Sequence, residues 1–165
     1  NIRLLRDKVS IKDVEDLKEN EYNPGGSTPL YDAIGFGISS IRKEVTDNDS
    51  VLVTIITDGE ENSSREYSGK AIAASIDELK QKGWLFTYIG ANQDAVKVAK
   101  TMNISNALNF EQDEEGTKEM FKKKKKSRER FFEKTASFLG LGKAFAIEAR
   151  KEIACEDSYF EDTDK

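Results

Sequence analysis

The sequence predicts an α/β fold, a mostly parallel sheet with helices on both faces, and three observations carry that prediction. Two apolar, β-branched runs, "VLVTIIT" (Val51 to Thr57) and "WLFTYIG" (Trp84 to Gly90), lack polar alternation. Strands buried on both faces read this way. Helical periodicity lies around and between them. The resulting order of helix, strand, helix, strand, helix, strand implies right-handed crossovers between parallel strands.

Taken in chain order, "IRLL" (Ile2 to Leu5) could form a strand. After Thr28, the residues Leu30, Ile34, Ile38, Ile41 and Val45 fall on one helix face. Thr28 suits an N-cap and Pro29 the first helical position. Gly35 and Gly37 inside this helix each cost about 1 kcal/mol against Ala, which close packing on a neighbouring backbone would explain. A second helix runs from about Ser68 to Lys82, with Ile72, Ile76 and Leu79 inward and Gly83 as its stop. A shorter one follows Asn92, burying Ala95, Val98 or Ala99, and Met102. "NALNF" (Asn106 to Phe110) is a weaker third strand.

Beyond Phe110 the composition shifts. "EQDEEG" (Glu111 to Gly116) is an acidic helix start, favourable at the positive end of a helix dipole. Lys118 to Lys134 then holds nine basic against three acidic residues. After "LGLG" (Leu139 to Gly142) another helical pattern places Phe145, Ile147 and Ile153 inward. The ending "CEDSYFEDTDK" reads as a partly ordered or disordered acidic tail. The expected organisation is therefore a domain over residues 1–140, followed by a C-terminal helix and acidic tail over residues 141–165.

With 165 residues, 37% hydrophobic and 35% charged, the chain describes one polar domain able to bury a core. A net charge of −5 argues mildly against a whole-surface nucleic-acid binder. No apolar run approaches the roughly 18 residues of a membrane span, and the start has no signal-peptide shape. The absence of an initial Met reads as a fragment of something longer. With a single cysteine, Cys155, and no histidine, an internal disulfide, a Ser-His-Asp triad and a His-ligated zinc site are excluded. The lone thiol fits a cytoplasmic, reducing compartment. Glu156 and Asp157 beside it leave it unactivated.

Two stretches place oxygen donors where a loop or strand hands over to a helix: "YNPGGSTPLYDAIG" (Tyr22 to Gly35) and "IITDGEEN" (Ile55 to Asn62). Together they resemble the von Willebrand factor type A domain, a three-layer Rossmann-like fold. Its metal-ion-dependent adhesion site combines Asp-x-Ser-x-Ser after the first strand, a Thr in a Gly-rich loop, and the Asp of Thr-Asp-Gly. Thr28 matches the loop Thr, and Asp58 the Asp of Thr57-Asp58-Gly59. Gly25, Gly26 and Gly59 would serve the geometry of those loops. "KGWLFTYIGANQDA" and "LNFEQDEEGTKEMF" look like later parts of bacterial and phage members, so the likeness covers roughly Ile2 to Phe121.

The chain departs from the pattern at one point. Asp-x-Ser-x-Ser is absent from the sequence, because in the family it lies upstream on a central strand. "IRLLRDKVSI" then resembles the family's third strand, an antiparallel edge strand, and the domain lacks its first strands. The resemblance implies a cation, Mg²⁺ or else Mn²⁺ or Ca²⁺, whose vacant position takes a carboxylate from a protein partner. Its output is protein binding rather than catalysis. A hard cation such as Mg²⁺ takes six oxygens at about 2.0–2.1 Å. Thr28 and Asp58 supply two, so the expected site is incomplete in this chain, whether occupied or unoccupied. A second copy completing the sheet is a further expected partner.

Plainer readings stand beside these. Thr28 could be only an N-cap, and Asp58 only a turn residue. Asp32, one turn into the helix, reads as a dipole-compensating acid, and Glu60 and Glu61 as decoration of the loop. The run Lys122, Lys123, Lys124, Lys125 and Lys126 reads first as a solvated helix face, since five adjacent lysines point all round a helix. The alternative is a nucleic-acid-associated adaptor acting through that run. No stacking aromatics are interleaved there, and Phe131 and Phe132 suit packing better. With no His and one carboxylate at the rim, nothing forms a general acid–base pair, so no enzyme is expected.

Overall fold

The computed structural model describes residues 2–21, 25–91, 94–138 and 140–161. Tyr22, Asn92, Leu139 and the end of the acidic tail lie outside them. The elements follow the expected order: α1 (Leu30–Ile41), β1 (Leu52–Thr57), α2 (Gly69–Lys80), β2 (Leu85–Ala91), α3 (Ala95–Thr101) and β3 (Asn106–Phe110). Two further α-helices, α4 (Glu114–Ala136) and α5 (Lys143–Cys155), follow, and a single 3-10 turn, Glu19–Glu21, precedes α1. The sheet runs β1-β2-β3, all parallel, with Ile55 opposite Tyr88 and Tyr88 opposite Ala107. This is an α/β fold of Rossmann-like type.

Alternation along β2 divides the core between two faces. Phe86 and Tyr88 join Leu30, Ile34 and Ile38 of α1, Ile72 and Ile76 of α2, and Ala95 and Ala99 of α3. On the opposite face Leu85 meets Phe131 and Ile153, while Ile89 meets Met120 and Phe160. Every residue of β2 is buried. Each aliphatic side chain so removed from water contributes roughly 2 kcal/mol. One buried hydroxyl crosses the ladder: that of Thr87 bonds the Thr54 hydroxyl at 3.1 Å.

Local chemistry sets the helix ends. Ser68 caps α2 by accepting from the Ala71 amide, Asp94 caps α3 through Lys97, and Asp113 caps α4 through Gly116. Gly83 ends the α2 connection at φ +81°, where a Cβ would stand 2.8 Å from Arg150 Cβ. Arg150 is itself buried in α5. Its guanidinium donates to the Asn48 carbonyl at 3.4 Å and also to the Asp47 carbonyl, tying α5 to the α1–β1 connection.

Three expectations change. Ile2 to Leu5 forms no strand; among the described residues nothing pairs with it, and an isolated strand leaves its backbone groups without a ladder. β1 reads as a central strand but lies at the sheet edge, and within it only Ile55 is buried. In α5 the inward residues are Arg150, Ile153 and Ala154, whereas Phe145 is 61% exposed. The helix meets the sheet only through its C-terminal half. The tail is ordered as far as Phe160, which packs on Ile89 and Met120, within the expectation of a partly ordered segment.

Candidate functional site

In a parallel sheet the C-terminal ends of the strands and the loops that leave them form one rim. Asp58 follows β1 directly and is exposed at that rim. Thr28 lies two residues before α1 and comes to the same place. A Cβ built on Gly59 would stand 2.6 Å from Thr28 Oγ1, so only glycine lets the Thr-Asp-Gly turn approach that hydroxyl. The turn is held by Thr57, whose hydroxyl donates to the Gly59 carbonyl at 2.9 Å and accepts from its amide at 3.1 Å. One Asp58 carboxylate oxygen accepts from Gln112 Nε2 at 3.3 Å, which links the β1 rim to the start of α4.

Thr28 is not the N-cap of α1. Pro29 occupies that position, with no side-chain cap of its own. The first amides of the helix are capped across the loop instead. Tyr31 N–H donates to Glu61 at 3.0 Å and Asp32 N–H to Ser64 Oγ at 3.1 Å. This leaves the Thr28 side chain uncommitted to capping. Its backbone is clasped by Asn62: Thr28 N–H donates to Asn62 Oδ1 at 2.8 Å, and Asn62 N–H to the Thr28 carbonyl at 3.2 Å.

Two carboxylates that the sequence suggested as dipole compensation and loop decoration are clamps. Asp32 is buried and accepts from the amides of Arg65, Glu66 and Tyr67 at 2.8–2.9 Å. Burial pushes its pKa up, and those three amides hold it below the ordinary value. Glu61 accepts from the amides of Tyr31, Ser63 and Ser64 and from the Ser64 hydroxyl. Desolvation again opposes ionisation, and the donors win, holding Glu61 down at about 2. Neither carboxylate is available as a ligand without dismantling the loop. Sequence reasoning assigned no role to Asn62, Ser64 or Gln112. The only signal for them was their closeness to Asp58 and to the acidic helix start.

Gly25 and Gly26 take positive φ values of +126° and +90°, with nothing within 4 Å of a Cβ at either. They therefore shape the loop before Thr28 through backbone conformation. Beside β1 runs an open apolar groove of about 480 Å³, floored by Val53, Ile55 and Ile56 and walled by Ile34, Gly37 and Ile41 of α1. Gly35 does pack closely, a Cβ there meeting the Tyr67 ring at 2.6 Å. Gly37 has nothing within 4 Å and faces the groove.

The lysine run lies on α4. Lys122 pairs with Glu119 at 3.5 Å and Lys125 with Glu129 at 4.0 Å. Lys124 lies over the Phe121 ring at 5.7 Å, and burial followed by the neighbouring Arg128 lowers its pKa. Phe131 is buried, whereas Phe132 is 47% exposed.

Among the described residues no group of three or more His, Cys, Asp or Glu side chains converges on one point. No helix there is long and apolar enough to cross a membrane. Comparison with family models, with curated proteins and with solved structures finds no match.

Proposed function

We propose that this chain is part of a cation-dependent protein-binding module of the von Willebrand factor A type, carrying a partial adhesion site at Thr28 and Asp58. One observation supports it most. The Thr28 hydroxyl, released from capping, lies against Gly59, the residue that follows Asp58. The oxygen chemistry suits Mg²⁺, Mn²⁺ or Ca²⁺, which are hard cations. Two side-chain donors make a partial set, so the remaining ligands would come from water and from another segment. The open edge of β1 offers the place for such a segment, which a second strand or a second copy could fill.

In this reading the residues of the chain position rather than react. Asn62 fixes the Thr28 backbone, Thr57 fixes the Asp58-Gly59 turn, and Asp32 and Glu61 lock the loop between them. A bound cation would supply a coordination position for a carboxylate of the partner protein. The test is isothermal titration of Mg²⁺ or Mn²⁺ into the chain and into its Thr28→Ala and Asp58→Ala variants. Weak binding by the parent, reduced in both variants, is expected. Identical heats from all three would overturn the reading.

A further inference from the structure

The free edge of β1 is flanked differently on its two faces. Just before the strand, the Val51 carbonyl accepts from the Leu85 amide at 2.9 Å, so alternate residues turn their backbone groups toward β2. Those of Leu52, Thr54 and Ile56 turn away from it, and among the described residues β1 pairs with β2 alone. On one face of this edge lies the apolar groove walled by Ile34, Gly37 and Ile41 of α1. On the other face the side chain of Leu52 meets Leu85 and Phe131, and strand alternation places Thr54 and Ile56 on that same face.

Helix α4 lies on this second face, and its phase decides what it presents to the edge. Met120 packs on Ile89 and Phe131 on Leu85, so the helix runs over β2 with these residues and buried Ser127 against the sheet. Glu119, Lys122, Lys123 and Lys126 line its flank toward β3. At about 100° per residue, the opposite flank, toward β1, holds Phe121, Lys124, Arg128 and Phe132. The two rings are exposed, as is Ile56. Lys124 and Arg128 between them are partly buried. Lys124 lies over the Phe121 ring, and the charge acting on it is the like charge of Arg128. Among the described residues no carboxylate pairs with either cation.

We propose that the free edge of β1 accepts a strand from a protein partner, with apolar side chains toward α1 and carboxylates toward Lys124 and Arg128. Main-chain bonds to Leu52, Thr54 and Ile56 supply affinity, and the side chains on the two faces supply selectivity. A segment matching β1 spans about 20 Å. Charge selects the occupant. The β1 strand of a second copy, "LVTIIT", meets the edge but brings no carboxylate, and a basic strand sets like charges against two partly desolvated cations. A phosphate polyanion has neither a peptide backbone for the edge nor apolar groups for the groove. The interaction holds whether or not Thr28 and Asp58 bind a cation.

Fluorescence anisotropy tests it, with the full chain titrated into labelled peptides about as long as β1. One peptide alternates valine and glutamate, a second valine and lysine, a third serine and glutamate. The first should bind saturably, and the other two at least about tenfold more weakly. The double variant Lys124→Glu, Arg128→Glu, checked for parental helicity by circular dichroism, should bind the valine–lysine peptide in preference to the valine–glutamate one. EDTA is present throughout, so failure of the cation reading leaves these affinities unchanged. No binding of the first peptide, or an order that charge reversal leaves intact, would overturn the proposal. Equal binding of the serine–glutamate peptide would do the same and assign the effect to the lysine run. A dimer that the first peptide does not dissociate would overturn it too, giving the edge to a second copy.

Discussion

Thr28 and Asn62 hold each other through two reciprocal hydrogen bonds, one through the Asn62 side chain and one through its backbone, across 34 positions of sequence. The clasp fixes the loop before α1 to the loop after β1. It therefore fixes the geometry between the Thr28 hydroxyl and the Asp58-Gly59 turn without using either donor.

Asn62→Ala removes the side-chain half of the clasp. We expect a modest stability loss of about 1 kcal/mol and faster exchange of the Thr28 amide. Native-state hydrogen exchange checks this directly. Unchanged protection at Thr28 would show that the loop is held by something else.

Glu61 makes the domain acid-sensitive in a defined window. Its folded pKa, about 2, lies below the ordinary 4.5. Its stabilising contribution is thus complete above about 4.5 and is lost as pH falls toward about 2. Between about pH 5 and 3 the parent should lose more stability than Glu61→Gln, which has no carboxylate to protonate. Urea midpoints across that range measure it. Parallel curves for the two proteins would contradict the assignment.

The two glycines of α1 should respond in opposite directions to the same change. Gly35→Ala drives a methyl into the Tyr67 ring and should cost about 1–3 kcal/mol. Gly37→Ala meets open space and should gain about 0.5–1 kcal/mol through helix propensity. Thermal melts of the two variants, compared with the parent, decide it.

The edge strand gives a prediction about association. β1, "LVTIIT", holds no charge and no proline, and Ile56 is 44% exposed. Such edges pair with other strands unless protected. Ile56→Lys should reduce concentration-dependent self-association in sedimentation velocity with little effect on the thermal midpoint. Association that survives the lysine would locate the contact elsewhere.

The sequence made the layer order legible because its signals are periodic. Ile72, Ile76 and Leu79 mark one helix face, and the unbroken apolar run of β2 marks burial on both sides. It also pointed Thr28 and Asp58 to one rim, since each lies where a loop or strand hands over to a helix. It did not show that Glu61 and Ser64 cap α1, because such caps depend on a contact about thirty residues away and have no local pattern. Nor could it separate Gly35 from Gly37. Their neighbours in sequence are alike, and only the Tyr67 ring distinguishes them. For β1 the composition of a central strand and the position of an edge strand disagree. Composition records what a strand can pair with, and position records what it does pair with.

The Arg150 staple bears on how the chain is made. The carbonyls of Asp47 and Asn48 wait for a guanidinium that lies 103 and 102 residues further on. At translation speeds of about 5–20 residues per second, that connection leaves the ribosome roughly 5–20 s before its partner. During that interval α1 and β1 can meet, and the connection can form its own Thr46–Asp49 turn, but the two carbonyls have only water to bond. Synthesis stalled before α5 would thus yield a nascent chain whose first helix and strand are joined by an unfastened link, a site for proteases and chaperones that the finished protein closes.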